Sequence, residues 1–402
     1  MTLALLDVTP LRSSPRFRWL WLGRTFSGFG SQMTIVAVVF QVWELTGSTA
    51  WTGAVGLAHA VPVIAFGLLA GSIVDRVDRR KVYLVAQTGQ ASCATLLAVQ
   101  GFFWHFPAFA VLLIVAAESC FVTVSGPAAR TFVSRLLPES QLAAGLALNH
   151  ISFQAAMLIG PAAGGLVLAW LGVGGCYLVD AISFGLAFLG AFGLPAMPPG
   201  GDSARPGLGG VLDGLRFLIR HRVVRAALLT DLAATVLAMP ISLFPLVNAE
   251  RFGNDPRTLG LFLSSIAVGG VVASVFSGTF TRHARLGLIM LASSATWGLA
   301  LALFGVLPGA WPGFGCLVVA GAADTISVVA RGTIVQSCTP DHLRGRVSAA
   351  EQIVGQAGPD VGNLRAGLVA RLTSGPIALL SGGLLAAAVV ALVGATTREL
   401  RN

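Results

Sequence analysis

Only 11% of the 402 residues are charged, against roughly 25% in soluble domains, while 55% are apolar and the mean hydropathy is +0.81. A soluble fold of this size would leave much of that apolar surface in water, so the composition excludes one and points to an integral membrane protein. The net charge of +9 rests on 26 basic against 17 acidic residues, and in a membrane chain such a surplus belongs in cytoplasmic loops and does not imply nucleic acid.

Residues 1–18 hold Pro10, Pro15 and three arginines ahead of the first apolar run, unlike a cleavable signal peptide. Twelve runs then approach the ~20 residues that a helix needs to cross ~30 Å of hydrocarbon. They lie near 20–43, 53–74, 82–103, 107–130, 142–170, 174–194, 226–247, 259–280, 286–307, 313–335, 347–371 and 377–396. Placing the N-terminus and every second loop in the cytoplasm puts 20 basic residues there and only Arg251 and Arg257 outside. That asymmetry predicts a multi-pass protein of the cell membrane with both termini cytoplasmic. The remaining four, Arg24, Arg331, Arg365 and Arg371, fall within or at the ends of spans.

The longest connection divides the chain into a bundle over 1–194, a linker over 195–225 and a bundle over 226–402. In the linker Leu208, Val211, Leu212, Leu215, Leu218 and Ile219 keep helical spacing, with Asp213, Arg216 and Arg220 on the other side. This predicts an amphipathic helix on the inner leaflet, serving as a tether or a regulatory element. The halves echo each other: Arg76 and Arg79 match Arg282 and Arg285 at an offset of 206, and Pro138-Glu139 matches Pro340-Asp341 at 202. The expected fold is all-α, with 12 transmembrane helices in two pseudo-symmetric six-helix bundles and cargo held between the repeats.

Cys93, Cys120, Cys176, Cys316 and Cys338 are scattered and form no CxxC pair, which suggests packed thiols without a disulfide frame or metal site. No cofactor is expected. GxxxxGK[ST], HExxH and GxSxG are all absent, so the chain offers no nucleotide cradle or hydrolase motif. Transport energy would then come from an ion gradient.

Charged groups within a membrane usually pair or face a polar cavity. Asp360 lies mid-span with Gln356 and Asn363 at helical spacing, and Pro359 and Gly362 loosen its helix. It reads as a proton carrier or substrate contact, or as a buried partner of Arg365. Glu118 reads as a second proton carrier or as a structural hydrogen-bonding group, and Asp231 as a third carrier or an interfacial group. Asp324 is expected to pair with Arg331, and Asp180 to be structural. Arg24 could attract an anionic substrate or reach the surface, and His150 with Gln154, one turn apart, could contact substrate or simply pack. Gly160, Pro161, Gly164 and Gly165 allow close helix approach and a bend.

The segment Gly71, Asp75, Arg76, Arg79, Arg80, Lys81 resembles the signature joining spans 2 and 3 in the major facilitator superfamily. Gly160-Pro161-Ala162-Ala163-Gly164-Gly165 resembles that superfamily's antiporter motif, with Ala156 where an asparagine often stands. Gly358-Pro359-Asp360-Val361-Gly362, together with Ser14–Arg18, Leu259–Ala273 and Thr339–Val347, is similar to the enterobactin (siderophore) exporters and their macrolide-efflux relatives. The resemblance covers nearly the whole chain. It implies a proton-coupled exporter acting as a monomer, and a cytoplasmic latch in which Asp75 meets Arg130 and the turn at Arg346–Ser348.

The cargo remains open between a polar or anionic siderophore-like molecule, which Arg24, Arg331 and Arg365 favour, and an amphipathic drug. A transporter-like sensor or scaffold is the remote alternative. The arginine-rich, lysine-poor composition fits a GC-rich bacterial genome.

Overall fold

The long apolar runs carry no polar stripe that would mark a water-facing side, and in the computed structural model they form helices apolar around their circumference. The structure describes residues 7–104, 106–198, 208–276, 285–340 and 343–400; the side chains at 68–75, 104, 208–213, 310, 345 and 349 stand outside the description. Among the described residues there is no strand.

The helices are α1 (Thr9–Ser13), α2 (Pro15–Thr46), α3 (Thr49–Arg76), α4 (Arg79–Val99), α5 (Ala108–Leu136), α6 (Glu139–Phe192), α7 (Leu208–Arg220), α8 (Arg222–Ala238), α9 (Phe244–Arg251), α10 (Pro256–Val275), α11 (Leu286–Val306), α12 (Ala310–Cys338), α13 (Arg344–Leu372) and α14 (Gly375–Thr396). Ten stretches of the described chain are long and apolar enough to cross a membrane. One of them, α6, has 54 residues, about 80 Å at 1.5 Å per residue, far more than one crossing requires. It breaks at Gly172, whose φ of 67° and ψ of −172° suit glycine alone. The second arm returns beside the first, and Cys176 donates a 3.4 Å hydrogen bond to the Gly164 carbonyl. Helix α13 is long enough to cross but is rich in charge, so it is not among the ten.

The chain divides into two compact units, one of Met1–Val38 and Ala65–Arg205, the other of Val39–Ile64 and Pro206–Asn402. In the first, Tyr83 of α4 meets Phe132 of α5 edge to face at 5.2 Å. Gly23, Gly30 and Gly190 let α2 lie directly on the second arm of α6, where a side chain at any of them would meet backbone.

In the second unit Gly269 of α10 and Gly321 of α12 bring two backbones together, and Gly298 of α11 meets Gly383 of α14 in the same way. Phe244, Phe262 and Phe304 meet one another in tilted and edge-to-face contacts at centroid distances of 5.2 to 6.0 Å. Arg251 donates to the carbonyls of Phe304 and Leu307, each at 3.1 Å, and to that of Gly305, capping the end of α11. Between α8 and α9 the helix is interrupted at Met239-Pro240.

The linker helix α7 packs on α8, α12 and α13 of its own unit. Leu218 is fully buried against Val224, Val335 and Val347, and Gly214 lies on the Arg346 backbone. Leu215 and Phe217 pack against the same cluster, whereas Ile219 is exposed.

Candidate functional site

Sequence spacing on one helix does not say which carboxylate meets which arginine, and the structure redraws those pairs. Arg331 of α12 lies 3.3 Å from Asp231 of α8 and 3.2 Å from Glu351 of α13. Asp324 is not its salt-bridge partner, contrary to expectation. Seven residues of helix place Asp324 about 10 Å along the axis from Arg331, while α8 and α13 bring carboxylates directly alongside. Asp324 still lies within electrostatic reach of both Asp231 and Arg331. Glu351 escaped the sequence reading, since it falls near the start of a span where a carboxylate reads as interfacial.

Arg365 does not pair with Asp360 either. Its Nη1 donates a 2.7 Å hydrogen bond to the Leu237 carbonyl at the end of α8, where the helix dipole favours a cation. Five residues along a helix place two side chains on different faces, which separates Arg365 from Asp360. Among the described residues no hydrogen bond or ion pair reaches the Asp360 carboxylate.

The trio of Gln356, Asp360 and Asn363 is split by burial. Gln356 is exposed and Asp360 half-buried, whereas Asn363 is buried and clasped. Asn363 Oδ1 accepts the Ser242 amide at 3.0 Å, and Ser242 Oγ donates to the Asn363 carbonyl at 2.8 Å. Thr52 of α3 donates to the Ser242 carbonyl at 2.8 Å, and Thr49 to that of Gly367 at the same distance. Gly53, Gly56, Gly362 and Gly367 allow this close approach. Asn363 therefore belongs to a tight junction of α3, α13 and the α8–α9 break, while Asp360 borders it.

In the first unit Asp180 is the polar centre and is completely buried. It accepts hydrogen bonds from Thr34 at 2.6 Å, Ser183 at 3.3 Å and Ser31 at 3.5 Å. Glu118 of α5 lies within electrostatic reach of Asp180, and no hydrogen bond or ion pair to it is found among the described residues. Arg24 is half-buried on α2 within reach of Tyr83. His150 is exposed and Gln154 half-buried on the first arm of α6. Behind Gly30 an apolar recess of about 370 Å³ is lined by Phe26, Phe29, Met33, Val179, Ile182 and Leu186, with the Ser183 hydroxyl at its edge. Gly160 lies on Gln32, and Gly164 on Met33, so this stretch packs α6 against α2 with Pro161 buried between them.

Of the gating residues, Gly71 and Asp75 lie on α3, in the stretch whose side chains stand outside the description. Arg76 and Arg130 are exposed and Arg346 is half-buried. Arg79 is buried, and its amide donates to the Met197 carbonyl at 3.1 Å. Arg80 donates to the Phe192 carbonyl and lies 5.8 Å over the Phe192 ring. Asp78 caps α4 through the Arg80 and Lys81 amides and accepts the Met197 amide at 3.1 Å. These contacts anchor the segment after α6 within its own unit.

Ten long apolar helices with charged centres held among them are the architecture of transporters of the major facilitator fold. The chain belongs to the transmembrane secretion effector family of that superfamily, which matches residues 7–401. It is a family of membrane transporters that carry small molecules, not of enzymes.

The enterobactin exporter EntS of Shigella boydii is 28% identical over 392 residues, covering 97% of this chain and 94% of the relative. The multidrug efflux pump Tap of Mycolicibacterium fortuitum is 28% identical over 361 residues, covering 86% of each chain. Among solved structures, a bacterial homologue of the iron transporter ferroportin in its inward-facing state gives a TM-score of 0.74 at 14% identity, covering 96% of this chain and 99% of the other. The nucleoside transporter NupG gives 0.73 at 16% identity, covering 96% and 98%. These likenesses establish the fold.

Proposed function

We propose that this protein is a proton-driven exporter of a polar or anionic, siderophore-like small molecule, built as two six-helix bundles with both termini in the cytoplasm. Export is supported by two relatives, one an enterobactin exporter matched over 97% of this chain and the other a multidrug efflux pump. The observation that carries the proton drive is the half-buried Asp360 carboxylate, to which no hydrogen bond or ion pair is found among the described residues. Protonation neutralises such a group and removes most of its desolvation cost, so its charge state can bias which conformation is stable.

Glu118 is a second candidate carrier by the same argument, and Asp231 a third whose charge is balanced by Arg331. Arg24 remains a candidate contact for anionic cargo, with His150, Gln154 and Gln356 as further polar contacts. Multidrug efflux is the second reading, favoured by the apolar recess beside Phe26 and Phe29.

The test is transport by the purified protein in proteoliposomes under an imposed pH gradient, with a catecholate chelator and ethidium as alternative cargoes. Gradient-driven movement of the catecholate and not ethidium supports the first reading. The reverse supports the second, and movement unaffected by the gradient removes the proton drive.

A further inference from the structure

The Arg331 centre carries more negative charge than its arginine balances. Asp231 and Glu351 contact one guanidinium, and Asp324 lies within electrostatic reach of it. With all of them ionised the centre would hold two uncompensated charges within the apolar layer, where each is costly. Among the described residues no ion pair joins a further cation to Asp231, Asp324 or Glu351. Helices α11 and α14 carry no charged residue, and α10 has only Arg257, in its first turn. On α8, Arg222 is committed to Glu399 at 3.0 Å, and Arg225 is exposed one turn later. On α13, Arg365 is committed to Leu237; Arg344, Arg346 and Arg371 lie in its end turns, and Asp360 carries negative charge. Helix α7 has Arg216 and Arg220 exposed, and Asp213 outside the described side chains.

The hydrogen bonding of the centre is incomplete as well. Arg331 is only 7% exposed, yet its Nε and Nη1 have no hydrogen-bond acceptor among the described residues, and Asp231 Oδ2 has no donor. The contacts at 3.2 and 3.3 Å are charge pairs whose geometry leaves these polar atoms open, so the centre has room to exchange partners.

Glu351 is the member best placed to do so. Its side chain is 18% exposed against 9% for Arg331 and Asp231. It follows the first residue of α13 by seven positions, about 10 Å from the helix end. Helix α13 packs mainly on α7, α8 and α14, so the bridge to Arg331 reaches across to α12. We propose that Glu351 binds the coupling proton and that its neutralisation releases α13 from Arg331, leaving Arg331 and Asp231 to hold α12 to α8. This deepens the proton-driven reading above, on which it rests, and adds a second titratable position nine residues before Asp360 on the same helix.

Atoms and charge balance simply: a proton adds to Glu351 Oε1, the ion pair becomes a neutral carboxyl beside a cation, and Arg331 keeps one carboxylate. The fold should survive the change, since Val335, Val347 and Ala350 pack beside the bridge without it.

The experiment measures amide hydrogen exchange over residues 344–356 in full-length protein in lipid nanodiscs at two pH values, corrected for the intrinsic exchange rate. In the wild type, protection should fall several-fold at the lower pH. Glu351→Gln should show the low protection at both values, and Glu351→Asp should restore the dependence. A Glu351→Gln protein that keeps the wild-type pH response overturns the assignment. Ethidium and catecholate transport under a pH gradient is measured in parallel. A wild type indifferent to the gradient with both cargoes overturns the proton drive and with it the coupling role. Gradient-driven transport that persists in Glu351→Gln overturns Glu351 alone.

Discussion

Thr34 donates a 2.6 Å hydrogen bond to the carboxylate of Asp180, across 146 positions of sequence and in a place wholly shut off from solvent. Gly30 makes room for it, because a Cβ there would run into Asp180 and Ser183. Removing one donor from a buried carboxylate costs about 1.5–3 kcal/mol. Thr34→Val should therefore lower the midpoint of thermal unfolding by several degrees in detergent, while Thr34→Ser keeps most of the stability. Equal midpoints for wild type and Thr34→Val would show that the contact does not hold α2 to α6.

The crossing of α10 and α12 depends on the absence of side chains at Gly269 and Gly321. Overpacking a close contact costs about 1–3 kcal/mol, more where only backbone could yield. Gly321→Val should sharply reduce the yield of monodisperse protein. Gly315→Ala, on the same helix with open space at its Cβ position, is the control and should leave yield unchanged.

Asp78 serves two ends at once, capping α4 and holding the Met197 amide. Loss of an N-cap costs about 0.5–2 kcal/mol. Asp78→Ala should destabilise the protein by about that amount in thermal unfolding, and Asp78→Asn, which keeps an acceptor oxygen, by less. Equal losses in Asp78→Asn and Asp78→Ala would assign the effect to the lost charge and not to capping.

Asp360→Asn imitates the protonated carboxyl. Gradient-driven export in proteoliposomes should fall at least about tenfold, on the order of 1.4 kcal/mol or more in the driving step, with cargo binding retained. Glu118→Gln, compared in the same assay, separates the two candidates. Native rates in both would pass the carrier role to Asp231 or Glu351.

The topology inferred from basic residues is checked by single cysteines on a cysteine-free background. Arg257→Cys should react with an impermeant thiol reagent in whole cells, and Arg216→Cys only after the membrane is opened. The opposite pattern would invert the orientation.

Composition and span lengths were enough to specify a multi-pass helical membrane protein, because burial in lipid is a property of each segment by itself. The loop from Gly71 to Lys81 and the Gly160–Gly165 segment were enough to indicate the superfamily, since they are local patterns. The partners of the buried charges were not legible in the same way. Arg331 was matched to Asp324 on its own helix, but its ion-pair partners stand 100 residues before it and 20 after it. Arg365 turned to the end of α8, Asn363 proved to be a clasp for Ser242, and Asp180 drew its donors from α2. Periodicity determines which face of a helix a residue occupies, and so whether it can point inward. Which helix stands opposite is decided only when glycines such as Gly30, Gly269 and Gly321 let particular backbones touch, and a buried charge then takes the nearest group that can satisfy it.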